Sequence, residues 1–344
     1  MDKQIFDPPL ISIVMPVYNR AQFLSEAFAS IQAQSYENWE LIIVDDGSTD
    51  NSLSTINKLS QNIGKQVVKI IQQQNKGPAG ARNTGIAEAS GDYLAFFDSD
   101  DLWLEHHLKN SIAFLQRHTH ISWVYAACKR VNYFSNDTIL QSTFYSNSSP
   151  PIPNKLFSIA EKKKSKEFIL DSNKAVLLQL REGIDSGFQN SVIRAEVFNS
   201  LSIPEFRVGE DRLFIVMALK QEFRFGFIDD IHVIYRVHDR NISDTDAKNT
   251  NFDKRIQSML RLLEAKKALP NLVRLNTEEY SIYKKQLSEE IVWELGYALY
   301  QNSGQYNLAL KSYVSGIKLY PRQLKYYKTM IICWGKWIFS RCLY

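Results

Sequence analysis

Carboxylates stand in three tight groups along this chain: Asp45-Asp46, Asp98-Ser99-Asp100-Asp101 and Glu210-Asp211. Carboxylate oxygens are hard ligands for Mg2+ or Mn2+, and a carboxylate held beside a hydroxyl can remove its proton. One imidazole, His238, closes an apolar run at Ile231–Val237 and adds a softer donor. Each group also has a plain structural reading. Asp45-Asp46 before Gly47-Ser48 could cap a helix. Asp100 or Asp101 could cap a helix over Leu102–Arg117, and Glu210-Asp211 could be first-turn acids favoured by a helix dipole. A lone histidine is more often a satisfied structural residue than a ligand.

The elements that must position these groups are legible in the first hundred residues. Short apolar runs recur at Ile11–Val14, Leu41–Val44, Val67–Ile71 and Tyr93–Phe97. Helical patterns lie between them. Phe23, Leu24, Ala27, Phe28 and Ile31 share one face at three- and four-residue steps. A second helix follows Ser48-Thr49-Asp50, and a third runs from about Gly80 to Ala89. Alternating strands and helices with continuously apolar strands predict a parallel sheet covered on both faces. Ligands of such sheets bind beyond the carboxyl ends of the strands. The unusual residues follow each run there: Pro16-Val17-Tyr18-Asn19, Asp45–Ser48, Asn75–Asn83 and Asp98–Asp101.

Taken together and in this order, the loops resemble those of family 2 glycosyltransferases of the GT-A fold. The resemblance runs through residues 11–20 (ISIVMPVYNR), 41–50 (LIIVDDGSTD) and 75–101 (NKGPAGARNTGIAEASGDYLAFFDSDD). It resumes at 208–219 (VGEDRLFIVMAL) and 234–243 (IYRVHDRNIS), and so covers roughly residues 10–245. It implies an α/β GT-A fold, a Rossmann-like, mostly parallel sheet between helices, over residues 1–250, with a helical extension over 251–344. It implies an inverting transferase for a nucleoside-diphosphate sugar, UDP- or dTDP-linked rather than GDP-linked, and a glycan or lipid-linked glycan acceptor. By the same resemblance Asp100 holds Mn2+ or Mg2+, with Asp98 and His238 beside it. Asp98 and Ser99 also meet the donor, Asp46 accepts from the base, and Pro16 and Tyr18 wall it. Gly80 permits close backbone approach, and Arg82 supports the base or phosphates or pairs with a neighbouring Asp. Asp211 is the general base, and Glu210 orients it or binds the acceptor. Arg236 either faces the diphosphate or anchors its strand.

Two rival readings belong to other classes. A nucleotidyltransferase would open with a Gly-rich, Lys- or Arg-bearing phosphate loop after the first strand, and Pro16-Val17-Tyr18-Asn19 is not one. A non-catalytic adaptor on a degenerate transferase fold is disfavoured by the intact Asp46, Asp98, Asp100 and Asp211.

Charge and composition narrow the setting. The net charge of +4 conceals seven Lys/Arg against twelve Asp/Glu in residues 1–100. From Leu295 to Tyr344 there are seven cations and no acid. That division argues against nucleic-acid binding and suits an acidic catalytic half with a tail that meets something anionic. Cys128, Cys333 and Cys342 show neither paired nor metal-site spacing, so a reducing, cytoplasmic location is expected. No signal-peptide pattern opens the sequence, and no apolar run reaches the ~18 residues a membrane span needs. Residues 135–185 lose the rhythm and read as a long loop with one helix near Ser172–Leu180. Trp293–Pro321 reads as a helical hairpin resembling a single tetratricopeptide pair. On a helical wheel Arg322, Lys325, Lys328, Lys336 and Ser340 gather opposite Tyr326, Met330, Trp334, Trp337 and Ile338. This predicts peripheral membrane contact through 322–344 or, equally, a last helix packed on the protein. Oligomeric state leaves no trace in the sequence.

Overall fold

The computed structural model describes residues 8–241 and 252–342. The chain divides into two compact units: residues up to Ala175 with Gly183–His238, and Val176–Glu182 with residues from Asp239 onward. The boundary expected at 250/251 lies outside the described residues.

The first unit opens with strictly alternating elements: β1 (Ile11–Val17), α1 (Leu24–Gln32), β2 (Trp39–Asp45), α2 (Ser52–Ser60), β3 (Val68–Gln72), α3 (Gly77–Ala87) and β4 (Tyr93–Phe96). β1 pairs in parallel with β2 and β4, and β2 with β3. The apolar runs are continuous because both faces are covered. Ile11, Ile13, Met15, Leu41 and Ile43 pack on one face with Leu24, Phe28 and Ile31 of α1 and Ile56 of α2. Ile42 and Val44 face the other way, onto Ala81 of α3. Such two-sided burial pins the register, since a one-residue slip would exchange the faces.

After β4 the topology changes. β5 (Leu102–Trp103), α4 (His107–Arg117), β6 (Trp123–Asn132), β7 (Thr138–Leu140), β8 (Ala160–Lys162), β9 (Glu167–Leu170), α5 (Ser172–Arg181), β10 (Ser191–Arg194), α6 (Glu210–Lys220) and β11 (Phe225–Val237) follow. The strands join in the order β3-β2-β1-β4-β10-β6-β11-β9-β8, with β5 on β11 and β7 on β6. β10 runs antiparallel between β4 and β6, and β6 and β11 are parallel. The sheet is thus mixed: parallel throughout its first half and threaded by short antiparallel members in its second.

Two expectations change here. The helix predicted over Leu102–Arg117 starts only at His107, with His106 as its N-cap residue. Leu102 and Trp103 are instead a strand on Ile234 and Val233, so neither Asp100 nor Asp101 caps a helix. Residues 135–185 hold three short strands, a 3-10 turn at Lys155–Ile159 and α5. Long-range aromatic packing organises them: Phe168 and Phe227 stack at 4.7 Å, and Phe157 meets Phe227 edge-on at 5.3 Å.

The second unit is helical: α7 (Phe252–Leu272), α8 (Thr277–Glu289), a π-helical segment Glu290–Gln301, α9 (Tyr306–Leu319) and α10 (Leu324–Cys342). Asn276 and Glu279 close a reciprocal capping box at the start of α8, with bonds of 2.9 and 2.8 Å. The π-helical segment and α9 form a tight hairpin. Gly316 sits where any side chain would collide with Val292, so the two backbones approach closely. Buried Tyr313 donates to Gln301 Oε1 at 2.6 Å within the pair. Among the described residues no helix is long and apolar enough to cross a membrane.

Candidate functional site

The loops after β1, β2, β3 and β4 all leave the parallel half of the sheet on the same side, and side chains stitch them together. Asn19, at φ +53, accepts from the Thr49 backbone N–H at 2.7 Å, and its own N–H donates to Ser48 Oγ at 3.0 Å. Arg20 reaches across to the loop after β4, where its Nε donates to Asp100 Oδ2 at 2.9 Å. Pro16 is half-buried, and Tyr18 is 43% exposed at the rim.

Asp46 is buried and fully engaged in ordering the loop after β3. Its Oδ1 accepts from Gln73 Nε2 at 2.7 Å and from the Lys76 N–H at 2.8 Å. Its Oδ2 accepts from the Gly77 N–H at 2.9 Å, at the start of α3. A carboxylate offers about four acceptor positions, so one remains on Oδ2. Asp46 is therefore a helix-start anchor first. Gly77 adopts φ +79 here, whereas the space that a side chain on Gly80 would fill is occupied by the Lys76 stem. Of the two glycines, Gly77 is the one the backbone requires.

At the centre lies Arg82. From the buried face of α3 its Nη2 donates to Asp98 Oδ1 and its Nη1 to Glu210 Oε1, both at 2.7 Å. Its guanidinium also stacks over Phe188 at 5.1 Å. It thus joins the β4 loop to the start of α6, more than a hundred residues later. Among the described residues, Arg82 Nε is buried without a hydrogen-bond partner. Of the two roles read from sequence, ion pairing is what the structure displays. Pairing with Glu210 as well as Asp98 was not foreseen.

Glu210 and Asp211 open α6 behind Gly209. Burial raises the Glu210 carboxyl to about 7, with the Asp211 charge adding to the rise and Arg82 opposing it. Held by Arg82, Glu210 positions the loop. Asp211 is half-buried, and its Oδ1 accepts from the Arg212 N–H at 2.7 Å. Asp98 is likewise pushed up by burial, opposed by Arg82, and raised further by the charges of Asp100 and Asp211. That mutual repulsion places Asp98, Asp100 and Asp211 in one electrostatic cluster.

Asp100 moves the other way. His238, Arg20 and its hydrogen bonds outweigh burial and hold its carboxyl below the usual range. His238 is enclosed, its Nε2 3.3 Å from Asp100 Oδ2, and its ring stacks on Phe23 at 4.5 Å. Asp101 is a strut between β4 and β11: its Oδ1 accepts from the Arg236 N–H at 3.0 Å. Its Oδ2 has no partner among the described residues, and burial beside Asp100 and Asp98 raises its carboxyl well above the ordinary range. Arg236 donates from Nε to the Asp100 carbonyl at 2.5 Å and pairs with Glu26. Of its two sequence readings, anchoring is the one the structure displays. Ser99 is buried between the two acids.

The donor set fits a hard divalent cation. Asp98 and Asp100 spend one oxygen each on arginine or histidine and keep the other, and their mutual repulsion would be relieved by positive charge. Arg20, Phe23 and Gln73 escaped sequence reasoning because their roles depend on partners in distant loops.

Residues 12–176 match the sequence model described as "Glycosyl transferase family 2". An uncharacterised glycosyltransferase of Haemophilus influenzae is 47% identical over 111 residues, 32% of this chain and 44% of that protein. The Escherichia coli protein named UDP-Glc:alpha-D-GlcNAc-diphosphoundecaprenol beta-1,3-glucosyltransferase WfgD is 36% identical over 126 residues, 37% of this chain and 48% of that protein. These matches span less than half of either relative. The crystal structure of S. aureus TarS 1-349 in complex with UDP-GlcNAc aligns with a TM-score of 0.59 at 19% identity, over 90% of this chain and 81% of that one. The mannosyltransferase PcManGT from Pyrobaculum calidifontis, in complex with GDP-Man and Mn2+, aligns at 0.52 and 14% identity over 98% and 88%. At such identities the structural likeness carries the fold alone, which is that of the GT-A enzymes. Strand ends, acid loops and sequence model agree in making residues 12–176 similar to glycosyl transferase family 2.

Proposed function

We propose that the protein is an inverting, metal-dependent glycosyltransferase that passes one sugar from a UDP- or dTDP-linked donor to a hydroxyl of a glycan or lipid-linked glycan. The observation that carries this reading is the Arg82 bridge, which brings the donor-side acid Asp98 and the α6 acid pair into one cluster. The names of WfgD and of the UDP-GlcNAc complex of TarS support a uridine donor.

In this reading residues 1–250 are the catalytic domain. Asp98 and Asp100, with His238 adjoining, would hold Mn2+ or Mg2+, which supplies positive charge to offset the donor diphosphate. Asp46 offers its last acceptor position to the imide N–H of the base, while Pro16 and Tyr18 flank it. Asp211 takes the proton from the acceptor hydroxyl as that oxygen bonds to the anomeric carbon. The bond from that carbon to the diphosphate breaks, and the nucleoside diphosphate leaves on the opposite face. Glu210, fixed by Arg82, sets the start of α6 and so the position of Asp211.

Incubating the protein with a panel of nucleotide sugars, Mn2+ and a lipid-linked glycan should release nucleoside diphosphate. Pyrophosphate from a nucleoside triphosphate and a sugar phosphate would instead establish a nucleotidyltransferase. Silence across donors and acceptors, together with no thermal shift from any nucleotide, would establish an adaptor.

The lipid-linked acceptor rests partly on α10. Tyr326 and Cys333 are buried, and the Tyr326 hydroxyl lies 3.0 Å from Ser288 Oγ. Tyr326 therefore faces its own unit and leaves the apolar face expected from the helical wheel. Trp334 of that face is more than half exposed, as are Leu324, Ile331 and Phe339, which the wheel did not place on it. The basic residues Lys325, Lys328 and Lys336 are exposed on the same helix. A helix presenting both suits the surface of an anionic bilayer. Ile331→Ser with Trp334→Ser and Phe339→Ser leaves the buried pair intact. It should abolish co-sedimentation with phosphatidylglycerol vesicles, and retention at the wild-type level would refute membrane docking.

A further inference from the structure

Four groups the proposed reaction does not use converge where α4 begins. His106 and His107 stand at the start of that helix, and Asp230 and His232 on β11. A ring nitrogen of His106, a ring nitrogen of His232 and one Asp230 oxygen all lie within 4.8 Å of one another. We propose that His106, Asp230 and His232 form a binding site for one zinc-class divalent ion, which pins the start of α4 to β11.

The donor set favours this class. Two imidazoles and one carboxylate suit Zn2+, whereas Mg2+ and Ca2+ prefer all-oxygen sites such as the Asp98–Asp100 loop. Three protein ligands leave a fourth position for water.

The surroundings point the same way. His232 is fully buried, yet among the described residues its Nε2 finds no hydrogen-bond partner, and the same holds for His107 Nε2. The two rings face each other through Nδ1 and Nδ1, 3.3 Å apart, so only one of those nitrogens can carry the shared proton. If His232 donates it, His107 accepts and the lone pair of His232 Nε2 is left for a metal. A ligating histidine whose other nitrogen is held by a hydrogen bond is the usual second layer of such sites. Ring packing alone would account for the edge-on contact of His106 with His232 at 4.8 Å. It does not account for ring nitrogens buried without partners, which cost free energy unless matched.

The backbone already joins the same two elements. The Leu104 N–H donates to the His232 carbonyl at 2.9 Å, and His106 Nε2 lies 3.2 Å from the Ile231 carbonyl. Register shifts in β11 on both sides of Ile231 mark this stretch as irregular. A tetrahedral zinc site needs ligand atoms about 3.3 Å apart, given Zn–N distances of ~2.0–2.1 Å. Modest side-chain adjustment therefore closes it. Lys166 Nζ, 3.1 Å from Asp230 Oδ1, is the competitor, but its side chain is 57% exposed and can withdraw into water.

The test uses the full chain, stripped with EDTA and titrated with Zn2+ or Co2+ alone. The expected result is one Zn2+ per chain by elemental analysis and a visible Co2+ absorption band of the tetrahedral kind. Affinity should fall by about tenfold or more in Asp230→Asn and in His106→Gln, and the Co2+ band should persist in Asp100→Asn. Circular dichroism checks folding, and half-buried Asp230 decides the matter if His106→Gln fails to fold. Absence of the Co2+ band, wild-type affinity in Asp230→Asn, or loss of the band only in Asp100→Asn would each overturn the proposal. The last result would place the ion at the Asp98–Asp100 loop instead. Because no turnover is read, the outcome is independent of whether the transferase reading holds.

Discussion

Asp211→Asn is expected to lower kcat by about 10²–10⁴-fold, the range of a positioned general base, while leaving the affinity for the nucleotide sugar nearly unchanged. Glu210 and Asp98 hold the surrounding structure through Arg82, and among the described residues the Asp211 carboxylate accepts only from its neighbour's N–H. The substitution therefore removes a proton acceptor without unfastening the loops. Single-turnover kinetics with a donor titration separates the two effects. A variant that transfers sugar at the wild-type rate would remove Asp211 from the reaction.

Arg82→Met is expected to cost stability as well as activity. The guanidinium neutralises Asp98 and Glu210 in a setting where Glu210 is 8% exposed. Breaking a buried ion pair from one side costs about 3–5 kcal/mol, because the remaining charges stay buried and unpaired. The loss has a definite pH sign. Glu210 already sits at about 7 and Asp98 is also raised, so the native state holds protons that the unfolded chain has released. Stability from these groups falls as pH rises, and without Arg82 the deficit should be greater at pH 8 than at pH 6. Adding Glu210→Gln to Arg82→Met should recover much of the stability and little of the activity. Denaturant melts of the single and double variants at both pH values provide the check. A single variant as stable as wild type would show that Arg82 is a bystander.

The parallel half of the sheet was legible because its signal is local. Ile11–Val14 and Leu41–Val44 are apolar throughout, and buried strands must be. The acid loops were legible as a set because each follows such a run. What the sequence concealed depends on contacts between distant segments. Arg82 pairs with Glu210 across 128 residues, and no spacing rule connects the two positions. The strand at Leu102–Trp103 forms only because β11 lies beside it, so its apolar residues read equally well as the first turn of α4. Residues 135–185 looked patternless because a cluster of phenylalanines, rather than periodicity, arranges their short strands. Asp46 illustrates a different limit. Its position singled it out, but its three hydrogen bonds to the β3 loop show a structural duty that coexists with any role at the nucleotide. Tyr326 on the helical wheel failed for the same reason as Leu102: a wheel gives faces and not neighbours.

In the proposed reaction Asp98 and Asp100 share one cation beside Asp211. Anomalous diffraction from crystals grown with Mn2+ and UDP tests it most directly. A manganese peak is expected at the Asp98 and Asp100 carboxylates, with the diphosphate on its open side and Asp211 nearby. A peak elsewhere, or UDP bound in crystals with no manganese at those carboxylates, would contradict it.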